Sequence, residues 1–380
     1  MTDVLLVAVD RHLVNRISAI DGYRVVSLER DNVASASNAA SMPDFRPDVI
    51  FVGPGLPTDR AIEYGQVMSA DFPEISVILV AGADRELVPK AAAVGLRGVI
   101  SERIGDADLA ALMERLGHQI IPVPDGSGPV PHQVVVVASP KGGVGKTTVA
   151  INVAAELAKA APGEVVLIDL DLQFGDVATM LDLAPANTVS DAFRSGVDDS
   201  MRLRTLLLPH PSQFHVLCGS DDPAANGRVT GDQIRKLVSQ YSSTFRYVIV
   251  DTPAGLHEET LASLEEATDV IIVATLDVAT LRDVRREVDV LANLFLLPPR
   301  RHIVLNRTDG RVGLTERDAE RILGLPVDAV IPASDRVALA ANGGKIVVEL
   351  KKRNPAKRPL RDLARRVADL NNHQGEELLR

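Results

Sequence analysis

Eight consecutive residues, Lys141-Gly142-Gly143-Val144-Gly145-Lys146-Thr147-Thr148, combine glycines, lysines and hydroxyls in one short run. Glycines carry no Cβ, so backbone N–H groups can turn inward and surround an oxyanion. The apolar run Val134–Ala138 precedes this loop, and a helical pattern, Thr147–Ala160, follows it. A helix start adds unpaired N–H donors and a partial positive charge, which completes a phosphate cradle. Lys146 is placed to contact the β- and γ-phosphates of a nucleotide, and the Thr147 hydroxyl to ligate Mg²⁺. Gly142, Gly143, Val144, Gly145, Lys146, Thr147 and Thr148 are the expected nucleotide contacts, with ATP and Mg²⁺ as ligands. Two further runs end in acids. Val165–Asp171 closes on Asp169 and Asp171, and Tyr247–Gly255 carries Asp251 directly after four apolar residues. In open α/β sheets, ligands bind beyond the carboxyl ends of the strands, where these acids fall.

The elements that must position these groups are legible as alternating runs. Before residue 119, strands are expected at Val4–Val9, Val25–Leu28, Val49–Val52, Val77–Val80 and Gly98–Ile100, with amphipathic stretches such as Ala61–Ala70 and Leu109–Leu116. Strands alternating with helices imply a parallel sheet covered on both faces, and five such units match the flavodoxin-like order. After residue 131, strands are expected at Gln133–Ala138, Val165–Asp169, His215–Cys218, Tyr247–Asp251, Val270–Ala274, His302–Asn306 and Ala329–Ile331. Helical patterns at Thr147–Ala160, Asp232–Tyr241 and Val284–Leu296 fill the gaps, giving a seven- or eight-stranded α/β domain. Between the halves, Ile121–Pro131 holds four prolines and two glycines, which stop helix and strand alike. The expected organisation is therefore 1–118, a linker at 119–131, and 132–380.

Composition narrows the class. The 380 residues are 46% hydrophobic but only 3% aromatic, with no Trp, so the core must be built from Val, Leu, Ile and Ala. A net charge of −10 argues against general coating of nucleic acid. The single cysteine, Cys218, excludes an internal disulfide and a Cys-rich metal site within one chain, and its apolar setting suits a small buried hydrophobe. The N-terminus lacks signal-peptide character, and no apolar run reaches transmembrane length, so the cytoplasm is the expected location. The basic run Lys351–Arg353, Lys357, Arg358, Arg361, Arg365 and Arg366 reads either as the solvated face of a last helix or as a weak contact for DNA or anionic membrane.

Lys-Gly-Gly-x-Gly-Lys-Thr-Thr, with Pro140 where the general loop has glycine, resembles the deviant Walker A of the ParA/MinD superfamily. The resemblance implies that Lys141 reaches across an ATP-bound homodimer to the partner's nucleotide, so that Lys141, Lys146 and Asp171 form the catalytic set. By the same resemblance Asp251 is the Walker B aspartate, and Asp169 supports the metal beside Thr147 and Asp251. Asp171 orients the attacking water, Asn306 reads adenine, and Pro332 lies in a loop packing on the base. The N-terminal half resembles a response-regulator receiver whose chemistry is missing. Gly53 stands at the phosphoacceptor position, only Asp10 remains of the acidic pair, Ala81 replaces Ser or Thr, and Ser101-Glu102 replaces the lysine region. Such a pseudo-receiver before a deviant-Walker ATPase, together with Leu170–Asp176 and Ser139-Pro140, resembles the CpaE/TadZ family of Flp/Tad pilus assembly proteins. That implies a slow, partner-stimulated Mg-dependent ATPase that positions pilus or secretion machinery at a cell pole or the inner face of the membrane. A ParA-type partition ATPase and a MinD-like septum-site regulator remain open. The polar, short end at 371–380 argues against a terminal membrane helix.

Overall fold

The computed structural model describes residues 2–29, 45–72, 75–82, 87–118, 132–220, 229–298, 300–310 and 313–369. The expected linker at 119–131 and the polar end at 371–380 lie outside the described residues. Contacts divide the chain into two compact units, one built mainly on Met1–Val123 and the other on Pro124–Glu287 with Arg300–Leu370.

In the first unit, strands β1 (Thr2–Val7), β2 (Tyr23–Leu28), β3 (Val49–Val52), β4 (Ser76–Ala81) and β5 (Gly98–Ser101) form one parallel sheet in the order β2-β1-β3-β4-β5. Because strand side chains alternate, Leu5, Val7, Ile50 and Val52 enter one core, while Val4, Leu6, Val49 and Phe51 enter another. Burial on both faces explains why these strands are continuous apolar runs. β1 ends at Val7, two residues before its expected end, because Ala8 adopts a left-handed φ of 51° that breaks the extended backbone.

The second unit holds strands β6 (Gln133–Ala138), β7 (Val165–Asp169), β8 (Leu208–Pro209), β9 (His215–Leu217), β10 (Tyr247–Asp251), β11 (Asp269–Thr275), β12 (Arg300–Thr308) and β13 (Ala329–Pro332). Their order is β13-β12-β11-β6-β10-β7-β9-β8, parallel throughout except for the β8–β9 pair. Two-residue β8 carries no periodicity to read, and its Pro209 suits an edge. The helix expected at Val284–Leu296 spans Val278–Asn293 instead. Asp277 starts it early by accepting the Thr280 backbone N–H at 2.8 Å. Helices Lys146–Ala160 and Lys357–Ala368 pack over one face of the sheet, sharing a core with Val135, Val137, Leu167 and Ile249. Cys218 is buried, as expected for a small hydrophobe.

Candidate nucleotide site

Strand register assembles the site. β6 lies between β11 and β10, and β10 pairs with β7 so that Asp251 stands directly beside Asp169. The loop leaving β6 therefore opens beside two carboxylates carried by the next two strands. Gly143 (φ 74°) and Gly145 (φ 98°) take left-handed backbone angles that side chains resist, and Gly145 is the N-cap of Lys146–Ala160. A Cβ on Gly145 would lie 2.3 Å from Asn306 Nδ2.

Asn306, near the end of β12, is buried and donates through Nδ2 to the Val144 carbonyl at 2.7 Å. In this structure its amide nitrogen holds the loop's backbone in shape. Pro332 ends β13 and pairs in register with Thr308. Lys146 is buried, whereas Lys141 is part-exposed and forms an ion pair with Asp283 at 3.4 Å. Asp283 sits on Val278–Asn293, a helix whose relation to the loop no local motif revealed.

The acids differ in what occupies their oxygens. Asp169 is wholly buried; Oδ1 accepts the Asp171 N–H at 3.1 Å and Oδ2 the Val177 N–H at 3.2 Å. Gly175 and Gly219 crowd it so closely that a Cβ at Gly175 would come within 2.5 Å of Oδ2. Burial, and then the neighbouring Asp251, hold its proton affinity well above the usual carboxylate range. Asp251 is buried, and burial pushes its pKa to about 7 against the opposing pull of the Thr147 hydroxyl and Lys146. Among the described residues its Oδ1 has no hydrogen-bond partner. Asp171 is part-exposed, and its Oδ1 accepts the Phe174 N–H at 3.1 Å.

One residue near the loop escaped the sequence reading. Glu287 interrupts the apolar stripe Leu281, Val284, Val288, Leu291, is only 4% exposed, and leaves both carboxylate oxygens unpartnered among the described residues. Burial raises its pKa to about 7, and the charge of Lys146 opposes that rise. An acid at a stripe position was the available signal.

In the first unit, Gly53 lies just past β3. Its N–H donates to the Val7 carbonyl at 2.8 Å, and a Cβ there would lie 2.4 Å from the Ala8 carbonyl oxygen. Asp10 caps helix Arg11–Ser18 by accepting the His12 N–H at 2.8 Å. Gly53, Ala81 and Leu79 line a cavity of about 230 Å³.

Parallel strands flanking a glycine loop, a buried lysine and a threonine whose side chain acts on a buried strand-end aspartate define a P-loop nucleoside-triphosphatase fold. Residues 131–296 match the family model described as ParA: NUBPL iron-transfer P-loop NTPase. The chain is 28% identical over 240 residues to the septum site-determining protein MinD of Thermotoga maritima, covering 62% of this chain and 87% of that relative. Among solved structures, MinD of Pyrococcus horikoshii complexed with Mg-ADP aligns at TM-score 0.57 and 22% identity, covering 63% of this chain and 97% of its own. MinD in the MinC:MinD cell division protein complex of Aquifex aeolicus aligns at 0.54 and 25%, covering 62% and 96%. The second unit is thus a P-loop NTPase domain of the ParA/MinD superfamily. Among the described residues, no helix is long and apolar enough to cross a membrane.

Proposed function

We propose that this chain is a magnesium-dependent ATPase whose ATP-bound form is a homodimer. The observation that carries this reading is buried Asp251, on which Thr147 and Lys146 act and one oxygen of which has no hydrogen-bond partner among the described residues. A buried acceptor with nothing to accept from is costly, and a hydrated divalent cation satisfies it. Among the described residues no three His, Cys, Asp or Glu side chains cluster as metal ligands. That suits magnesium, which relies on one or two protein groups plus phosphate oxygens. Thr147 and Asp251 would hold the ion, with Asp169 supporting them by anchoring the backbone of Asp171 and Val177. The ion supplies positive charge to the phosphates.

Lys146 binds the β- and γ-phosphates, and the loop N–H groups surround them. Asp171 orients the attacking water. Lys141 has the second role. Its pair with Asp283 has side chains 37% and 35% exposed, so it is weak and exchangeable. Releasing Asp283 frees Lys141 for the nucleotide of a second subunit, which makes dimerisation depend on the γ-phosphate. Asn306 and the Pro332 loop border the base. Light scattering on the full chain tests the switch: the mass should double with ATP and Mg²⁺, but not with ADP or in Lys146→Ala. Equal mass in all states refutes it.

For the cellular role, we infer positioning of Flp/Tad-type pilus or secretion machinery at a cell pole, as in the CpaE/TadZ family. The five-stranded unit in the order 2-1-3-4-5 ahead of the NTPase unit supports this, as does the Gly53 site, too tight for any side chain. That unit acts as a receiver-like targeting module without phosphorelay. A second reading, septum-site regulation, is favoured by the MinD relatives. Imaging a fluorescent fusion separates them, since a polar focus that is lost with residues 132–380 alone supports the first and a midcell or oscillating pattern the second. A single buried cysteine gives this chain no thiolate set with which to carry iron.

A further inference from the structure

The basic run near the C-terminal end of the described chain forms a cleft, a shape the sequence did not reveal. It lies between helix Asp335–Ala341, the segment Lys351–Pro355 and the first turns of Lys357–Ala368, and encloses about 980 Å³. Eight of its lining residues are lysine or arginine, and one, Asp362, is acidic. Arg358 and Arg365 share that acid at 3.5 and 3.3 Å. Lys351, Lys352 and Arg353 are exposed and have no ion-pair partner among the described residues.

Two features indicate that the cleft is built for an anion. Helix Lys357–Ala368 begins on Ala356 with no side-chain cap and no acid in its first turn, where Lys357 and Arg358 stand instead. Cations at the positive end of a helix repel it, and an anion there relieves both charges. Asn354, only 6% exposed, also lines the cleft. Its Oδ1 accepts the Ala356 N–H at 3.0 Å and its backbone carbonyl the Lys357 N–H at 3.1 Å. Its Nδ2 is buried and has no partner among the described residues. A buried donor left unsatisfied beside free cations calls for an acceptor that the chain does not supply.

We propose that this cleft binds a small molecule carrying two or more phosphate groups, at a site separate from the P-loop. Phosphate oxygens match both the lysine and arginine donors and the Asn354 amide. The cavity has the size of a small-ligand site rather than an extended track. With a net charge of −10, the chain repels a long polyanion beyond this patch.

Isothermal titration calorimetry with inorganic tripolyphosphate tests the proposal on the full chain. A Lys146→Ala background without magnesium removes the P-loop as a competitor. One binding event is expected, weakened at least about tenfold by Lys351→Glu with Lys352→Glu and also by Asn354→Leu. The double lysine variant is wholly at the surface, so it reports binding even where Asn354→Leu fails to fold. Absence of tripolyphosphate binding, or equal affinity in the lysine variant, overturns the proposal. So does binding of duplex DNA or phosphatidylglycerol vesicles, lost in the same variant, where tripolyphosphate does not bind.

Discussion

Replacing Glu287 with glutamine should stabilise the protein at alkaline pH and leave it nearly unchanged in acid. The carboxyl is 4% exposed with neither oxygen hydrogen-bonded among the described residues, so ionising it in place leaves a buried charge that Lys146 offsets only in part. Its pKa rises from an ordinary 4.5 to about 7, chiefly through burial. The folded state thus holds this proton more tightly than the unfolded chain. Its stabilising contribution is complete below about 4.5 and is lost as pH rises through about 7. At about 1.4 kcal/mol per tenfold change in proton affinity, the ceiling on that loss is about 3 kcal/mol. Glutamine keeps the shape and cannot ionise. Urea unfolding followed by circular dichroism at about pH 4 and about pH 8.5 should show the variant matching the parent in acid and exceeding it by about 1–3 kcal/mol in base. The same difference at both pH values would refute the reasoning, because a packing effect does not titrate.

Gly145→Ala should weaken nucleotide binding at least about tenfold, since it forces a side chain into a φ of 98° and against Asn306; titration with a fluorescent ATP analogue measures it. Asn152→Ala should cost about 2 kcal/mol in urea unfolding, because buried Asn152 donates to the Thr148 carbonyl at 2.7 Å and accepts the Val348 N–H at 2.9 Å. An unchanged midpoint would remove Asn152 as a tie between the P-loop helix and the C-terminal segment. Asp171→Ala should still bind ATP and dimerise, while phosphate release falls by about 10²-fold or more. Full turnover in that variant would take Asp171 out of the mechanism.

The sequence alone determined the elements whose signals are local. Gln133–Ala138, Val165–Asp169 and Tyr247–Asp251 form strands at the boundaries expected from their apolar runs, because burial on both faces leaves little other choice of residue. The phosphate loop was legible for a similar reason, since glycine, lysine and threonine at fixed spacing carry their chemistry along one stretch of chain. Short β8, the left-handed turn at Ala8 and the early start of Val278–Asn293 were not legible, because edge pairing, one dihedral angle or one capping carboxylate sets each. Only the tertiary structure decided which distant groups meet. Parallel register sets Asp251 beside Asp169, β12 brings Asn306 to the Val144 carbonyl 162 residues away, and a helix beyond β11 supplies Asp283 to Lys141. It also decided which polar atoms lose their water, leaving Asp251, Glu287 and Asn354 with unsatisfied atoms. Desolvation depends on everything packed around a group, and that sum is not written at any one position of the chain.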